Sequence, residues 1–118
     1  MIEHSIALRH MKKVDKVWGH EEWIENNNLY CGKILTLKKD YFCSIHYHQV
    51  KQETFYILKG KVKLELFGKT LIMKKGDVYT LEPLTVHRFT GLEDSNILEI
   101  STHHEDSDSY RVKIGGKC

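Results

Sequence analysis

The 118-residue chain has the length of one ordinary domain, large enough to bury a single core without disulfide or metal staples. Its 18 lysines and arginines nearly balance 16 aspartates and glutamates. The net charge of +2 therefore excludes the strong positive electrostatic field that would attract nucleic acid or an acidic membrane surface. No apolar run has the length of a signal peptide or a membrane span. We therefore expect a cytoplasmic protein with neither nucleic-acid nor membrane partners.

Residues 1–15 are interpreted as an N-terminal extension that could join a dimer or cover a sheet, and residues 16–118 as a single domain. In this domain, short runs rich in Val, Ile, Leu, Thr and Tyr alternate in period two between turn residues, which is typical of β-strands. In chain order, the expected strands are 33–37, 43–48, 54–58, 62–66, 70–73, 78–81, 87–91, 96–101 and 110–114. Turns are expected at Gly68-Lys69 and at residues 74–77. The pattern predicts an all-β fold, either a sandwich or a closed barrel, because such folds leave few exposed edges.

The cysteines Cys31, Cys43 and Cys118 are odd in number and show no CxxC spacing. This argues against a disulfide framework and against a cysteine zinc site. We expect reduced thiols, two of them buried and one on the C-terminal tail.

The stretch "SIHYHQVKQETFYILKG", residues 44–60, carries two histidines and a glutamate. On a strand, residues two apart point to the same face, so His46 and His48 can aim their imidazoles into one cavity. Glu53 follows a short loop, and the next strand can bring its carboxylate back beside them. A histidine pair on a strand is by itself more often a surface or packing feature, so the pair alone does not establish a metal site.

The segment "GDVYTLEPLTVHRF", residues 76–89, supplies a further histidine. Gly76 and Pro83 mark the limits of a strand and a turn, after which His87 begins another strand. Three imidazoles and one carboxylate suit a divalent first-row metal such as Zn, Mn, Fe or Ni, with positions left open for water or substrate. The hypothetical metal ligands are His46, His48, Glu53 and His87.

These residues resemble the cupin superfamily, whose first motif reads HxHx(3 or 4)Ex(6)G and whose second motif ends in a single histidine. The first motif is matched in full from His46 to Gly60, and His87 keeps the end-to-end spacing of the second. Leu84 stands where a glycine is common, and Gly91 replaces the usual asparagine. The resemblance implies a small antiparallel β-barrel of jelly-roll type with one metal ion near the barrel mouth.

Four shorter segments narrow the resemblance. They are similar to the cupin domain of mannose-6-phosphate isomerases that are joined to a mannose-1-phosphate guanylyltransferase. The segments are "KVWGHEEWI" at 16–24, "HRFTG" at 87–91, "ILEIS" at 97–101 and "EDSDSYR" at 105–111. This likeness implies a sugar or sugar phosphate as substrate and favours metal-dependent aldose–ketose isomerisation. An Fe(II)-dependent dioxygenase and a non-catalytic sugar-binding cupin remain as alternatives.

An isomerase needs a base, and a phosphorylated substrate needs cations. Glu99 is the candidate catalytic base if it faces inward, but strand parity allows either Ile97 with Glu99 or Leu98 with Ile100 to point into the barrel. Arg88 and Arg111 are the candidate substrate-binding residues, because a guanidinium binds phosphate in a forked geometry.

The strand faces opposite the hypothetical ligands are unusually apolar. They carry Ile45, Tyr47, Tyr56 and Leu58. Because a solvated outer face should be more polar, we expect a homodimer packed through one sheet, with the N-terminal segment around Trp18 and Trp23 as the alternative cover. The pair His103-His104 is interpreted as solvent-exposed, or as a rim over the pocket.

Overall fold

The structure, a computed structural model, describes residues 8–118. Its β-strands are β1 Lys12–Lys16, β2 Gly19–Asn26, β3 Cys31–Leu37, β4 Tyr41–Phe42, β5 Ile45–His48, β6 Glu53–Lys59, β7 Lys61–Leu66, β8 Lys69–Lys74, β9 Val78–Leu81, β10 His87–Gly91, β11 Ser95–Ser101, β12 Ser109–Lys113 and β13 Gly116–Lys117. A short 3₁₀ helix, Asp106–Asp108, precedes β12. Within residues 8–118, no helix has the length and apolar character that crossing a membrane would require.

The strands form two antiparallel sheets. One has the order β1-β2-β3-β11-β6-β9. In the other, β10 pairs with β7 along one edge and with both β4 and β5 along the opposite edge, while β8, β12 and β13 lie further out. The all-β antiparallel fold of jelly-roll type is thus confirmed, with two hydrogen-bonded sheets rather than one closed ring.

The core lies between the sheets and follows the period-two pattern of the strands. In β3, every second residue from Cys31 to Leu37 is buried, and the intervening residues are partly exposed. Trp18 is buried in this core with its ring edge against Phe89, at 5.2 Å between ring centroids. Trp18 therefore packs inside the domain and is not part of an external cover.

Gly60 closes the first motif because nothing larger fits there. Its φ of +91° lies in the left-handed region, and a Cβ on it would lie 2.5 Å from the carbonyl oxygen of Asp94. The glycine lets the chain turn from β6 into β7 directly beside the start of β11.

The two departures from the second motif have separate structural explanations. Leu84 adopts a φ of +70°, the conformation that a glycine would adopt there without strain. At Gly91, a Cβ would lie 2.5 Å from the carbonyl oxygen of Lys38, so the close approach of that backbone excludes any side chain. The backbone before His87 can therefore follow the path that the glycine-containing motif would take, with Leu84 strained in the place of that glycine.

The predicted strands from residue 33 onward are confirmed, with ends shifted by a few residues. The first hairpin turn lies at Phe67-Gly68, one residue earlier than expected. Strands β1 and β2 were not predicted, because their many charged residues hide the alternation. All of strand β1 except Lys16 lies within the segment interpreted as an N-terminal extension, and the strand forms an edge of the six-stranded sheet. Residues 1–7 of that segment lie outside the described residues.

The three cysteines are free thiols, as predicted: Cys31 and Cys43 are buried and Cys118 is exposed.

Candidate metal centre

The hypothetical metal ligands meet between the two sheets. His46 on β5 and His87 on β10 are direct partners in the antiparallel ladder, and His48 lies two residues further along the same face of β5. Glu53 is the first residue of β6 in the opposite sheet. Two strands of one sheet and one of the other thus converge on a single point.

The three histidine side chains form a compact cluster. One ring nitrogen from each of His46, His48 and His87 lies within 4.8 Å of the other two, a spacing that could hold a metal ion. The carboxylate of Glu53 extends the cluster, because its Oε2 lies 3.2 Å from His48 Nε2 and 3.4 Å from His87 Nε2.

Backbone carbonyls determine which nitrogen of each ring carries the proton. Nδ1 of His46 lies 2.9 Å from the carbonyl oxygen of Ser44, and Nδ1 of His87 lies 2.8 Å from that of Thr85. Nδ1 of His48 lies 3.1 Å from the carbonyl oxygen of Asp108. Because a carbonyl can only accept, each Nδ1 donates, and each neutral ring keeps an Nε2 lone pair for a metal.

Within residues 8–118, two atoms of the cluster lack the partners that buried polar atoms normally have. Glu53 Oε2 and His87 Nε2 are buried and have no hydrogen-bond partner among the described residues. Buried polar atoms are normally satisfied, and several acceptors that face one another without a proton repel. A divalent cation would satisfy them together.

Burial and nearby charges keep His46, His87 and Glu53 in the protonation states that metal binding requires. Burial and the neighbouring His87 lower the pKa of His46 to about 3, and burial also lowers the pKa of His87. Burial of Glu53 opposes its ionisation, but its charged surroundings, chiefly the Lys51 ammonium 3.6 Å away, outweigh that effect and lower its pKa below the ordinary value. His46 and His87 are therefore neutral imidazoles beside an ionised carboxylate, the forms that bind metal.

The cluster opens into a cavity of about 930 Å³, which is large enough for a monosaccharide. Its wall includes the apolar rings of Trp18, Phe55 and Phe89 and the polar side chains of His46, His48, Lys51, Glu53, Glu99, His104 and Arg111.

Glu99 faces this cavity, which resolves the parity that the sequence leaves open. Ile97 and Glu99 are buried, whereas Ile100 on the opposite face is 56% exposed. Glu99 Oε2 lies 2.6 Å from Lys51 Nζ and accepts a hydrogen bond of 3.0 Å from Ser101 Oγ.

Lys51 was missed from the sequence, although it lies inside the first motif. Its ammonium group is buried and contacts Glu99, Oε1 of Glu53 at 3.6 Å and Nδ1 of His104 at 3.0 Å. Burial opposes its charge, but the Glu99 and Glu53 carboxylates outweigh that effect and raise the pKa of Lys51 above its ordinary value. Lys51 thus links the hypothetical metal ligand Glu53 to the candidate base.

Lys33 is a second buried lysine of the cavity wall that sequence analysis missed. Its ammonium lies 3.4 Å from Glu21 Oε1 and 4.2 Å from the centre of the Trp23 ring. The signal was available in the period-two pattern, because Lys33 occupies the buried face of β3 between Cys31 and Leu35.

The two candidate arginines lie in different environments. Arg88 Nε donates to the carbonyl oxygen of Cys43 at 2.9 Å, and its Nη2 donates to that of Ile114 at 3.0 Å. It is not among the residues that line the cavity. Arg111 lines the cavity, and its backbone lies opposite that of His46 in the ladder between β12 and β5.

The consecutive histidines also separate. His104 is buried, lines the cavity and contacts Asp106 Oδ1 through Nε2 at 2.9 Å. His103 lies outside the cavity lining, and its Nδ1 donates to the carbonyl oxygen of Asn27 at 2.8 Å.

Three solved structures share this fold at low sequence identity. Pac13, a nucleoside dehydratase of Streptomyces, has a TM-score of 0.78 at 11% identity, with 92% of each chain covered. KdgF from Halomonas sp. has a TM-score of 0.74 at 17% identity, covering 81% of this chain and 91% of that chain. A variant of Bacillus subtilis oxalate decarboxylase has a TM-score of 0.75 at 14% identity, covering 86% of this chain and 30% of that chain. These similarities show the fold alone.

Two sequence comparisons reach further. The D-lyxose/D-mannose isomerase of Thermosediminibacter oceani is 30% identical over 109 residues, covering 69% of this chain. The chain spans only 60% of the length of that relative. The sequence model of the cupin domain matches residues 34–101, which is more than half of the chain. The chain therefore belongs to the cupin family.

Proposed function

We propose that the protein is a metal-dependent aldose–ketose isomerase that acts on a small sugar. One observation carries the proposal: three histidines and one glutamate converge on one point, where buried atoms of Glu53 and His87 lack hydrogen-bond partners in the described part of the chain, beside a cavity whose wall also holds the buried carboxylate of Glu99. The sequence similarity to a D-lyxose/D-mannose isomerase supports the choice of reaction.

Aldose–ketose isomerisation needs an electrophile at the oxygens and a base at the carbons. When bound, a divalent metal would supply Lewis-acid polarisation of the sugar carbonyl and the adjacent hydroxyl group. It would be held by His46, His48, Glu53 and His87. The apolar rings of Phe55 and Phe89 restrict water on one wall of the cavity.

We assign the proton transfer to Glu99. Its carboxylate would remove the proton from the carbon next to the aldose carbonyl and return it to the former carbonyl carbon, while the proton of the adjacent hydroxyl group passes to the former carbonyl oxygen. Glu99 contacts Lys51 and Ser101 through the same oxygen, Oε2. Oε1 is therefore the oxygen that we assign to the substrate.

The charges of the cavity favour an uncharged sugar over a sugar phosphate. Four cationic side chains and five carboxylates line it. Lys33 and Lys51 already contact carboxylates, and Arg88 is engaged by backbone carbonyls. The other two lining cations, Lys16 and Arg111, lie on strands of opposite sheets and are weak counterparts for a phosphate dianion, which prefers several converging cations.

Proton exchange in heavy water tests the proposal. We expect NMR to show deuterium incorporation next to the carbonyl of D-mannose or D-lyxose in the presence of a divalent metal, and less incorporation with mannose 6-phosphate. Absence of exchange with every sugar and metal would contradict isomerisation. Oxygen uptake with Fe(II) would then indicate a dioxygenase, and binding of unchanged sugar a non-catalytic protein.

We also propose that a second copy of the chain covers the outer face of the six-stranded sheet. Apolar side chains of neighbouring strands form a continuous patch there, in which Ile34 and Leu98 are partly exposed and the others are exposed: Ile24, Tyr56, Leu58, Val78 and Ile100. Such a patch is unusual on a monomer, and two copies related by a twofold axis can bury it against itself. Sedimentation of Ile100→Lys should show monomers where the unaltered protein shows dimers.

A further inference from the structure

The carboxylate of Asp108 closes the loop between two hypothetical metal ligands. It accepts hydrogen bonds from three consecutive backbone N–H groups, those of residues 49–51, at 2.9 to 3.3 Å. These residues connect His48 at the end of β5 to Glu53 at the start of β6. The loop is thereby held by a residue from the 3₁₀ helix before β12, far away in sequence.

The main chain of the same residue contacts one ligand directly. The carbonyl oxygen of Asp108 accepts a hydrogen bond from Nδ1 of His48 at 3.1 Å, which leaves Nε2 facing the centre. The hydroxyl of Ser109 also lies 3.3 Å from that Nδ1. Asp108 therefore touches the ring of one ligand and the loop that leads to the next.

The two sets of contacts are mechanically coupled. The carboxylate attaches residue 108 to the loop, and this attachment places the carbonyl of the same residue beside the His48 ring. Loss of the carboxylate would leave three loop N–H groups without their acceptor and would release the carbonyl from its position. The orientation of the His48 ring and the distance between His48 and Glu53 would then be less tightly fixed.

We propose that Asp108 is the positioning residue of the metal centre, which sets metal affinity without itself binding the metal. The inference rests on the metal site proposed above. Partners that orient metal ligands typically contribute about 10- to 100-fold to metal affinity. We expect Asp108→Ala to weaken Co²⁺ binding by about that factor, and Asp108→Asn, which keeps one acceptor oxygen, by a smaller factor.

The experiment titrates Co²⁺ into the metal-free full-length chain by calorimetry and records the visible absorption of the bound ion. Asp77→Ala is the matched control, because the Asp77 carboxylate accepts the N–H of Lys74 at 2.8 Å in a turn away from the site. A general loss of loop stability would lower the melting temperature of both variants. Only loss of positioning would also weaken Co²⁺ binding and alter its absorption bands.

NMR of the metal-free protein gives a second readout. Long-range ¹H–¹⁵N correlations should show His48 protonated at Nδ1 in the unaltered chain and a mixture of tautomers in Asp108→Asn. If both Asp108 variants bind Co²⁺ as tightly as the unaltered chain with the same absorption bands, this inference is wrong and the metal site stands. If the unaltered chain binds no Co²⁺, the metal site and the inference fail together.

Discussion

Nε2 of His87 lies 3.4 Å from Oε2 of Glu53, and neither atom has a hydrogen-bond partner among residues 8–118. The two atoms come from opposite sheets, so their meeting depends on how the sheets pack. Since His87 donates through Nδ1 and Glu53 is ionised, both atoms are acceptors, and their proximity is unfavourable until a cation lies between them.

Replacing a hypothetical ligand should abolish stabilisation by metal. For the unaltered protein, a metal at about 100 times its dissociation constant should add about 2.7 kcal/mol to the free energy of unfolding. His87→Ala should lose this increment, as measured by thermal melts with and without Zn²⁺ or Mn²⁺. His20→Ala, whose ring lies 3.7 Å from Glu22 outside the cluster, should keep it. Equal increments in both variants would contradict the site.

Removing the candidate base should stop proton exchange without preventing metal binding. Glu99→Gln is expected to lower the exchange rate about 10²- to 10⁴-fold, the usual contribution of a general base. Calorimetry should show metal bound as before, because Glu99 does not belong to the ligand cluster. Glu93→Gln, at an exposed site, is the control. Full activity of Glu99→Gln would assign the proton transfer to another group.

Leu84→Gly should stabilise the protein. A left-handed backbone costs a residue with a Cβ about 1–2 kcal/mol, and the greater freedom of glycine in the unfolded chain costs about 0.5–1 kcal/mol. Because Leu84 is 64% exposed at a φ of +70°, little packing is lost, and denaturant unfolding should show a gain of up to about 1 kcal/mol. Asp40→Gly, at a φ of +69°, should gain less, because aspartate tolerates this conformation better.

The thiols should differ sharply in reactivity. Only Cys118 is exposed, so a thiol reagent should titrate one cysteine in the folded protein and three in denaturant. Reaction of more than one native thiol would contradict the burial of Cys31 and Cys43.

The same burial predicts a loss of stability in alkali. Burial raises the pKa of Cys43 from 9.0 to about 12, so between these values the folded state keeps a proton that the unfolded state releases. Stability therefore falls as the pH rises from 9 towards 12. Cys43→Ala should show a shallower decline in denaturant unfolding across this range, and an unchanged slope would argue against the shifted pKa.

Much of the fold was predictable because strand alternation is a local property. From residue 33 onward, the period-two runs identify nearly every strand. Strands β1 and β2 were not predicted, because charged side chains such as Lys13 and Glu22 lie near an edge of the sheet, where burial is incomplete and apolar alternation is weak.

The sequence alone determined the candidate ligands, because HxH on a strand and a glutamate after a fixed loop leave little freedom in where their side chains point. It could not determine the direction of Glu99, since either face of β11 could be buried, nor the burial of Lys51, which depends on carboxylates from two other positions. Only the packing of the sheets decided these points. The packing of the sheets also decided the surroundings of the two arginines. Arg88 donates to backbone carbonyls from distant parts of the chain, which the sequence alone could not identify, and Arg111 lines the cavity.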